Sequence, residues 1–152
     1  GEHCGRAEEA LEHYTAVFPD SRVEGILRHD GSGPDAAGTV IHAQCYLGGE
    51  TFMLMDSAHP HDFGFSEATS FIVNCDTQDE IDHFWNALSA VPEAEQCGWL
   101  KDRFGVSWQI VPKSLPELLT DRDAQKAERT MQALLGMTKL DIAALERAHA
   151  GG

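Results

Sequence analysis

The sequence predicts an α+β fold built from two similar modules, each with one helix and several short strands. Two observations predict it. In each half of the chain, one segment carries apolar residues at the three-and-four spacing of a helix with a single buried stripe. In each half, runs of strand composition follow that helix, separated by turn residues. We expect the modules to pack side by side, with the helices outside and the sheets curved toward each other.

The first module, residues 1–56, opens with the helix. Its apolar residues form one stripe, which is made of Ala7, Ala10, Leu11, Tyr14, Val17 and Phe18. The turn Pro19-Asp20-Ser21 ends the helix. Three strands are predicted next, at residues 21–29, 39–47 and 50–56. The dipeptide Gly48-Gly49 predicts a tight hairpin between the last two.

The second module, residues 69–112, starts with a strand at residues 70–75. Thr77 and Glu80 then form the T-x-x-E pattern of a capping box, which predicts the start of a helix. We expect that helix to bury four residues at helical spacing, namely Ile81, Phe84, Trp85 and Leu88. A hairpin at residues 96–112 completes the module.

Residues 113–152 form a helical extension, and we treat the whole chain, residues 1–152, as a single domain. The extension has two apolar stripes, broken near Gly136: one holds Met131, Leu134 and Leu135, and the other holds Ile142 and Leu145. Such stripes need a partner surface, which a second copy of the chain would provide. The extension therefore predicts a homodimer.

The net charge of the chain limits the kinds of partner that it can bind. Lysine and arginine total 11 residues against 25 aspartates and glutamates, so the formal net charge is −14. Such a chain neutralises phosphates poorly, and we expect neither nucleic acid nor an anionic membrane as a partner. No apolar run approaches the ~20 residues that a bilayer-spanning helix needs, and the start GEHCGRAEEA has no apolar signal-peptide core.

The four cysteines, Cys4, Cys45, Cys75 and Cys97, are widely spaced and form no C-x-x-C pair. In a domain of this length they fit reduced thiols better than a disulfide framework or a zinc site. We expect Cys75 and Cys97 to be buried thiols rather than nucleophiles. This use of cysteine predicts a cytoplasmic protein.

Four segments carry a resemblance to a known family: AEEALEHYTAVFPDSRV, HDFGFSEATSFIVNCDTQDEIDHFWNALS, QCGWLKDRFGVSWQIVP and KLDIAALERAHAG. They resemble the PhnB-like family, often labelled 3-demethylubiquinone-9 3-methyltransferase, within the glyoxalase or vicinal-oxygen-chelate (VOC) superfamily. The resemblance implies paired βαβββ modules that form a cupped half-barrel, usually in a homodimer. It does not imply methyl transfer, because no glycine-rich loop follows a strand in the way that seats a nucleotide-like cofactor.

The family usually has an apolar strand before the A-E-E-A helix, and here only Gly1 to Cys4 precede that helix. Either the numbered chain begins after part of this strand, or another segment takes its place at the sheet edge.

Metal-using members of the superfamily carry His, Gln or Glu ligands on the first and last strands of each module. The first of these positions is lost with the missing strand. The others fall on the strand that ends at Asp56, near Thr69 or Ser70, and on Gln109. One carboxamide with one hydroxyl is a poor ligand set for a divalent ion. We therefore expect no bound metal and no other cofactor.

The H-x-H pattern of His59 and His61 is the alternative metal site, since it could hold a borderline metal with help from Asp56 or Asp62. Only Pro60 separates the two histidines, and no regular element fixes their geometry. This arrangement favours a polar connection between the modules.

The strand at residues 39–47 has one polar-leaning face. Alternation groups Val40, His42, Gln44 and Tyr46 on that face, opposite Ile41, Ala43, Cys45 and Leu47. The polar-leaning face looks either into the cup or into solvent, because alternation does not fix which side is the core.

The hairpin at residues 96–112 carries two tryptophans on opposite faces. In the register that sets Lys101 opposite Ser107, Trp99 lies opposite Gln109, and we expect Leu100 opposite Val106. The apolar face, expected to bury against the second helix, holds Leu100, Val106, Trp108 and Ile110.

The other face of the hairpin holds Trp99, Lys101, Ser107 and Gln109. It fits either the wall of a small-molecule pocket or a solvated or dimer-facing surface. We expect Trp99 and Gln109 to line the cup, with His42 and Gln44 across it.

Two classes of function remain. One is an enzyme, or former enzyme, that acts on a small organic molecule without a metal. The other is a non-catalytic binding or sequestering protein, as drug-resistance members of the superfamily are. A divalent-metal enzyme of glyoxalase or dioxygenase type is the alternative to both. No Ser-His-Asp or Cys-His set can be assembled from spacing alone. The tip Lys101-Asp102-Arg103 could bind an anion, although charged hairpin tips are usually solvated.

Overall fold

The structure is a computed structural model that describes residues 3–59 and 61–152; Gly1, Glu2 and Pro60 lie outside the described residues. The chain divides into two compact units, one up to Gly64 and one from Phe65 to Gly152. The described residues form five α-helices and two three-stranded sheets, which confirms the predicted α+β class. In this part of the chain no helix has the length and apolar character that a membrane crossing requires.

Unit one is a helix followed by an antiparallel sheet. Its elements are α1 (Ala7–Val17), β1 (Arg22–Arg28), β2 (Val40–Leu47) and β3 (Glu50–Leu54), and the strand order is β1-β2-β3. The predicted hairpin between β2 and β3 turns at Gly48 and Gly49, whose φ angles of 55° and 102° lie in the left-handed region that glycine tolerates. All three strands lie within the ranges that the sequence predicts.

The helix α1 covers one face of this sheet. Its buried residues Leu11 and Tyr14 belong to the same core as the buried side chains of Ala43, Cys45 and Leu47 on β2. Alternation along β2 therefore holds from His42 onward, with His42 and Gln44 on the face opposite the helix.

The alternation fails at the start of β2. Leu27 pairs with His42 but Arg28 pairs with Val40, so Ile41 is an extra residue in the ladder. Such a bulge shifts the faces of the strand by one residue. Val40 is accordingly buried, although the sequence pattern groups it with His42.

Asp56 ties the two ends of unit one together. Its Oδ1 accepts the backbone N–H groups of Gly5 at 2.8 Å and Ala7 at 3.1 Å, and its Oδ2 accepts the N–H of Val40 at 3.0 Å. Arg6, the residue before α1, supplies no side-chain cap. Asp56 therefore caps α1 from the segment that follows β3.

Unit two contains the second sheet and the helical extension. It begins with β4 (Phe71–Cys75), α2 (Gln78–Leu88), a single 3-10 turn (Pro92–Ala94), β5 (Trp99–Lys101) and β6 (Ser107–Pro112). The strand order is β4-β6-β5, with β4 parallel and β5 antiparallel to β6. The predicted capping box is confirmed: Thr77 Oγ1 accepts the N–H of Glu80, whose side chain accepts the N–H of Thr77.

The helix α2 packs on one face of this sheet. Its four predicted core residues are all buried, as are Leu100, Trp108 and Ile110 on the strands. The prediction that Trp108 belongs to the core is confirmed, with 4% of this residue exposed.

The hairpin register is confirmed at two of the three pairs. Trp99 lies opposite Gln109 and Lys101 opposite Ser107. Leu100 lies opposite Trp108, so the expected pairing with Val106 is wrong. Partners in an antiparallel ladder keep a constant sum of residue numbers, and Val106 belongs to the turn before β6.

The extension forms α3 (Leu115–Leu119), α4 (Ala124–Leu135) and α5 (Ile142–Ala150). Leu115, Leu140 and Leu145 form its buried core, and Leu134 packs against them. Part of the apolar surface that was expected to need a second subunit is therefore covered within the chain. Met131 and Leu135 remain 37% and 54% exposed.

Candidate functional site

One face of the sheet in unit two carries the polar residues of the hairpin. Trp99, Lys101, Ser107 and Gln109 alternate with the core residues of β5 and β6, so they lie on the face opposite α2. We call these four residues the polar face. Their pairings place Trp99 beside Gln109 and Lys101 beside Ser107.

Ser107 is the distinctive residue of the polar face. Only 2% of it is exposed. Within residues 3–59 and 61–152, its Oγ is the one buried side-chain nitrogen or oxygen that has no hydrogen-bond partner. Buried hydroxyl groups are normally satisfied, because an unpaired one costs ~1–3 kcal/mol. Ser107 thus has hydrogen-bonding capacity that the described part of the chain does not use.

Gln109 is held in place by the strand on its other side. Its Nε2 donates to the Oγ of Ser70 at 2.9 Å. Ile72, which pairs with Gln109 across the parallel ladder, is 57% exposed. Ile72 thus adds an apolar side chain beside the polar face. The hairpin alone could not reveal it, because the contact depends on the pairing of β4 with β6.

Lys101 and Asp102 correct the expectation of a solvated charged tip. Lys101 is half-buried and forms an ion pair with Glu67. Asp102 is buried, with 1% exposed, and only Arg103 of the three projects outward. Asp102 turns inward because its carboxylate accepts backbone N–H groups of the turn that follows it.

In unit one, His42 and Gln44 border an open depression. Its volume is about 360 Å³, and its lining is Glu24, Gly25, Ile26, Leu27, His42 and Gln44. A register shift between Val23 and Gly25 makes a bulge at Glu24.

Glu24 pairs with two polar groups at this depression. Gln44 Nε2 donates to Glu24, and Arg22 forms an ion pair with the same carboxylate at 2.8 Å. The Arg22 guanidinium also lies 4.3 Å from the centre of the Tyr46 ring. Leu27 contributes an apolar wall and is 59% exposed.

The histidines predicted as an alternative metal site lie on an exposed connection. His59 is exposed, and His61 Nε2 lies 3.2 Å from Ser57 Oγ with its ring 4.9 Å from that of Phe63. Asp56, the expected helper, is already engaged by three backbone N–H groups. Among residues 3–59 and 61–152, no three His, Cys, Asp or Glu side chains are grouped so that they could hold a metal ion.

All four cysteines are free thiols. Cys75 is buried as predicted, whereas Cys97 is only partly buried. Burial raises the pKa of the Cys75 thiol to about 11. It also raises the pKa of Cys45. Neither of these two groups is a thiolate near neutral pH, so neither has the character of a nucleophile.

Comparisons with known proteins give a consistent result. The sequence profile of the family described as 3-demethylubiquinone-9 3-methyltransferase matches residues 3–111. A PhnB protein from Bacillus cereus is 40% identical, covers 72% of this chain and 92% of its own, and superposes with a TM-score of 0.64. A Pseudomonas aeruginosa protein is 26% identical, covers 72% of this chain and 90% of its own, and superposes with a TM-score of 0.55. No curated protein matches the chain.

Proposed function

The chain belongs to the PhnB-like family, labelled 3-demethylubiquinone-9 3-methyltransferase, and from this we propose that it binds a small organic molecule at the polar face without a divalent metal. The observation that carries the proposal is the hydroxyl of Ser107. It is buried and unpaired, on the same face as Trp99 and Gln109. A ligand oxygen or N–H that displaced the groups covering this hydroxyl and paired with it would offset the cost of its burial.

The side chains of the polar face favour a planar ligand with oxygen substituents. Trp99 offers an aromatic surface for stacking, and Ile72 an apolar one. Ser107 and Gln109 are neutral groups that both donate and accept hydrogen bonds. Phenols and quinones combine a flat ring with such oxygens, and small dicarbonyls provide the oxygens without the ring.

The residues at the superfamily's ligand positions do not fit a divalent metal. Ser70 and Gln109 offer a hydroxyl and a carboxamide, and these two side chains hydrogen-bond to each other at 2.9 Å. Metal sites of this kind need several imidazole or carboxylate ligands that converge. We therefore route no chemistry through a metal.

The family label names a methyltransferase, but the proposal includes no methyl transfer. A nucleotide-like methyl donor would favour a glycine-rich turn from a strand into a helix. In the described chain, the connection from β4 to α2 is Asp76-Thr77 and that from β6 to α3 is Lys113-Ser114. Neither connection contains a glycine.

We propose the depression in unit one as a second ligand contact, independent of the polar face. His42 and Leu27 are partly exposed at its wall, and Gly25 has no atom within 4 Å of the position a Cβ would take. The substitution Gly25→Ala would therefore place a methyl group at the wall of the depression without a clash, and it tests this contact independently of the polar face.

We also propose that the protein is a cytoplasmic homodimer. The exposed side chains of Met131 and Leu135 on α4 supply an apolar patch that a second copy would cover. The free state of all four cysteines supports a reducing compartment.

The experiment is a calorimetric titration of chelator-treated protein with a panel of phenols, quinones and dicarbonyls. We expect binding, and Ser107→Ala should weaken it about tenfold, because a net hydrogen bond is worth ~1 kcal/mol or more. Ser89→Ala is the matched control, since the Ser89 hydroxyl is already paired with Glu95. Equal affinity for wild type and Ser107→Ala would refute the proposal.

Two further measurements separate the classes of function. Product analysis of the bound panel members distinguishes an enzyme from a sequestering protein. Elemental analysis of protein purified without an affinity metal tests the metal-free proposal. Near-stoichiometric zinc, nickel or manganese would contradict it, and His59 and His61 would then be the first residues to replace.

A further inference from the structure

The segment between α4 and α5 lies against the start of β5. The backbone N–H of Cys97 donates to the carbonyl of Met137 at 2.8 Å, and that of Gly98 donates to Thr138 at 2.8 Å. The carbonyl of Gly98 in turn accepts the N–H of Ile110 at 2.8 Å. The residue before Trp99 is therefore held between β6 and this segment. We call residues 137–140 the strap.

The contact between the strap and β5 is tight. Gly98 has a φ of +85°, and a Cβ there would lie 3.0 Å from the Ile110 carbonyl oxygen and 3.1 Å from Leu140 Cδ1. Cys97 also has a positive φ, 53°, which is unfavourable for a residue with a side chain. This backbone conformation sets the direction in which the chain enters Trp99, and the strap's hydrogen bonds hold it there.

Gln78, near the start of α2, anchors the strap. Its Nε2 donates to the carbonyl of Leu140 at 3.1 Å, and its Oε1 accepts the N–H of Ile142 at 3.0 Å. Beside it, Lys139 Nζ lies 2.5 Å from Asp82 Oδ1. Leu140 itself is fully buried. One amide side chain thus fixes the backbone on both sides of Asp141.

We infer that the strap positions Trp99 for ligand binding, and that Gln78 is a positioning residue that acts through the strap. The inference rests on the proposed function, because it assigns the helical extension a role at the polar face. The side chain of Gln78 hydrogen-bonds to Asp82, Leu140 and Ile142, and its effect on Trp99 passes through Leu140 and the paired backbone of Gly98.

The first test needs no ligand. In Gln78→Ala, we expect hydrogen exchange of the Cys97 and Gly98 amides to become at least tenfold faster. The control is Gln132→Ala, in which the lost hydrogen bond joins two exposed residues on α4. Gln78→Met keeps the length of the side chain and removes both hydrogen bonds to the strap, so it should show the same faster amide exchange even if Gln78→Ala is too unstable to study.

Tryptophan fluorescence distinguishes a specific effect on the position of Trp99 from a general loosening of the fold. Gln78→Ala should change the tryptophan emission, and the change should vanish when it is combined with Trp99→Phe, because Trp85 and Trp108 lie on the α2 side of the sheet. An emission change that persists in the double variant would overturn the inference. So would a folded Gln78→Ala protein with unchanged amide exchange.

The second part of the test measures the binding of 4-hydroxybenzoate, a phenol with a flat ring. We expect Gln78→Ala to weaken its binding at least fivefold, with Gln132→Ala at the wild-type value. Unchanged affinity in a folded Gln78→Ala protein overturns the inference while the proposed function stands. Failure of the wild type to bind this probe counts against the proposed function, and the exchange and emission results still decide the role of the strap.

Discussion

The indole N–H of Trp108 donates to the carboxylate of Asp102 at 2.8 Å. The same carboxylate accepts the backbone N–H groups of Phe104 at 2.9 Å and Val106 at 3.0 Å. Asp102 therefore joins the turn of the hairpin to a core tryptophan. Its neighbour Lys101 lies on the polar face.

We predict that Asp102→Ala lowers the free energy of unfolding by ~3 kcal/mol, because two buried N–H groups and one part-buried N–H group lose their acceptor. Urea denaturation measures the change. Asp62→Ala, at an exposed position, is the control and should lie within ~0.5 kcal/mol of wild type. Equal effects of the two substitutions would show that the Asp102 contacts contribute nothing to stability.

The two hairpin tryptophans should differ in their contribution to stability. Trp108→Ala removes a side chain packed in the core and should cost ~3–5 kcal/mol. Trp99 is half-buried on the opposite face, and Trp99→Ala should leave the protein folded, at a cost of ~1 kcal/mol. Thermal or urea unfolding of both variants decides the point, and the reverse order of stabilities would contradict the assignment of the faces.

The helix and hairpin patterns were predictable because they depend on neighbours in sequence. Thr77 and Glu80 mark the start of α2 by local hydrogen bonds alone. The pairing of Trp99 with Gln109 follows from a short turn and strict alternation. The same kind of pattern could not locate the bulge at Ile41, since one extra residue in a ladder changes no composition.

The contacts that define the candidate site come largely from tertiary structure. A charged triplet in a turn resembles a solvated tip, and only the fold reveals that Asp102 points inward. The cap that Asp56 places on α1 and the strap on Gly98 each join segments far apart in sequence. The unpaired hydroxyl of Ser107 depends on what surrounds it, which no residue spacing encodes.

The Cys75 thiol predicts a loss of stability at high pH. Burial raises its pKa from the ordinary value of 9.0 to about 11, so its contribution is complete below pH 9 and is lost as the pH rises toward 11. The free energy of unfolding falls because, in that interval, the Cys75 thiol ionises in the unfolded chain but not in the folded chain. Cys75→Ala should flatten this decline, as measured by urea unfolding between pH 8 and 11. A decline of the same slope in both proteins would exclude Cys75 as its source.

The proposed homodimer depends on the apolar patch of α4. Leu135→Glu should shift the protein toward the monomer, because it buries a charge at the contact. Size-exclusion chromatography with light scattering gives the mass, and Gln125→Glu on the same helix is the control. A monomeric wild type at micromolar concentration would refute the dimer.

The most direct test of the ligand-binding role of the polar face is a fluorescence titration of wild type and Trp99→Ala with 4-hydroxybenzoate. Trp85 and Trp108 lie on the α2 side of the sheet, so a ligand at the polar face should alter mainly the emission of Trp99. We predict a saturable change in the wild type and its loss in Trp99→Ala, with circular dichroism confirming that the variant is folded. An undiminished ligand-induced change in folded Trp99→Ala would contradict binding at the polar face.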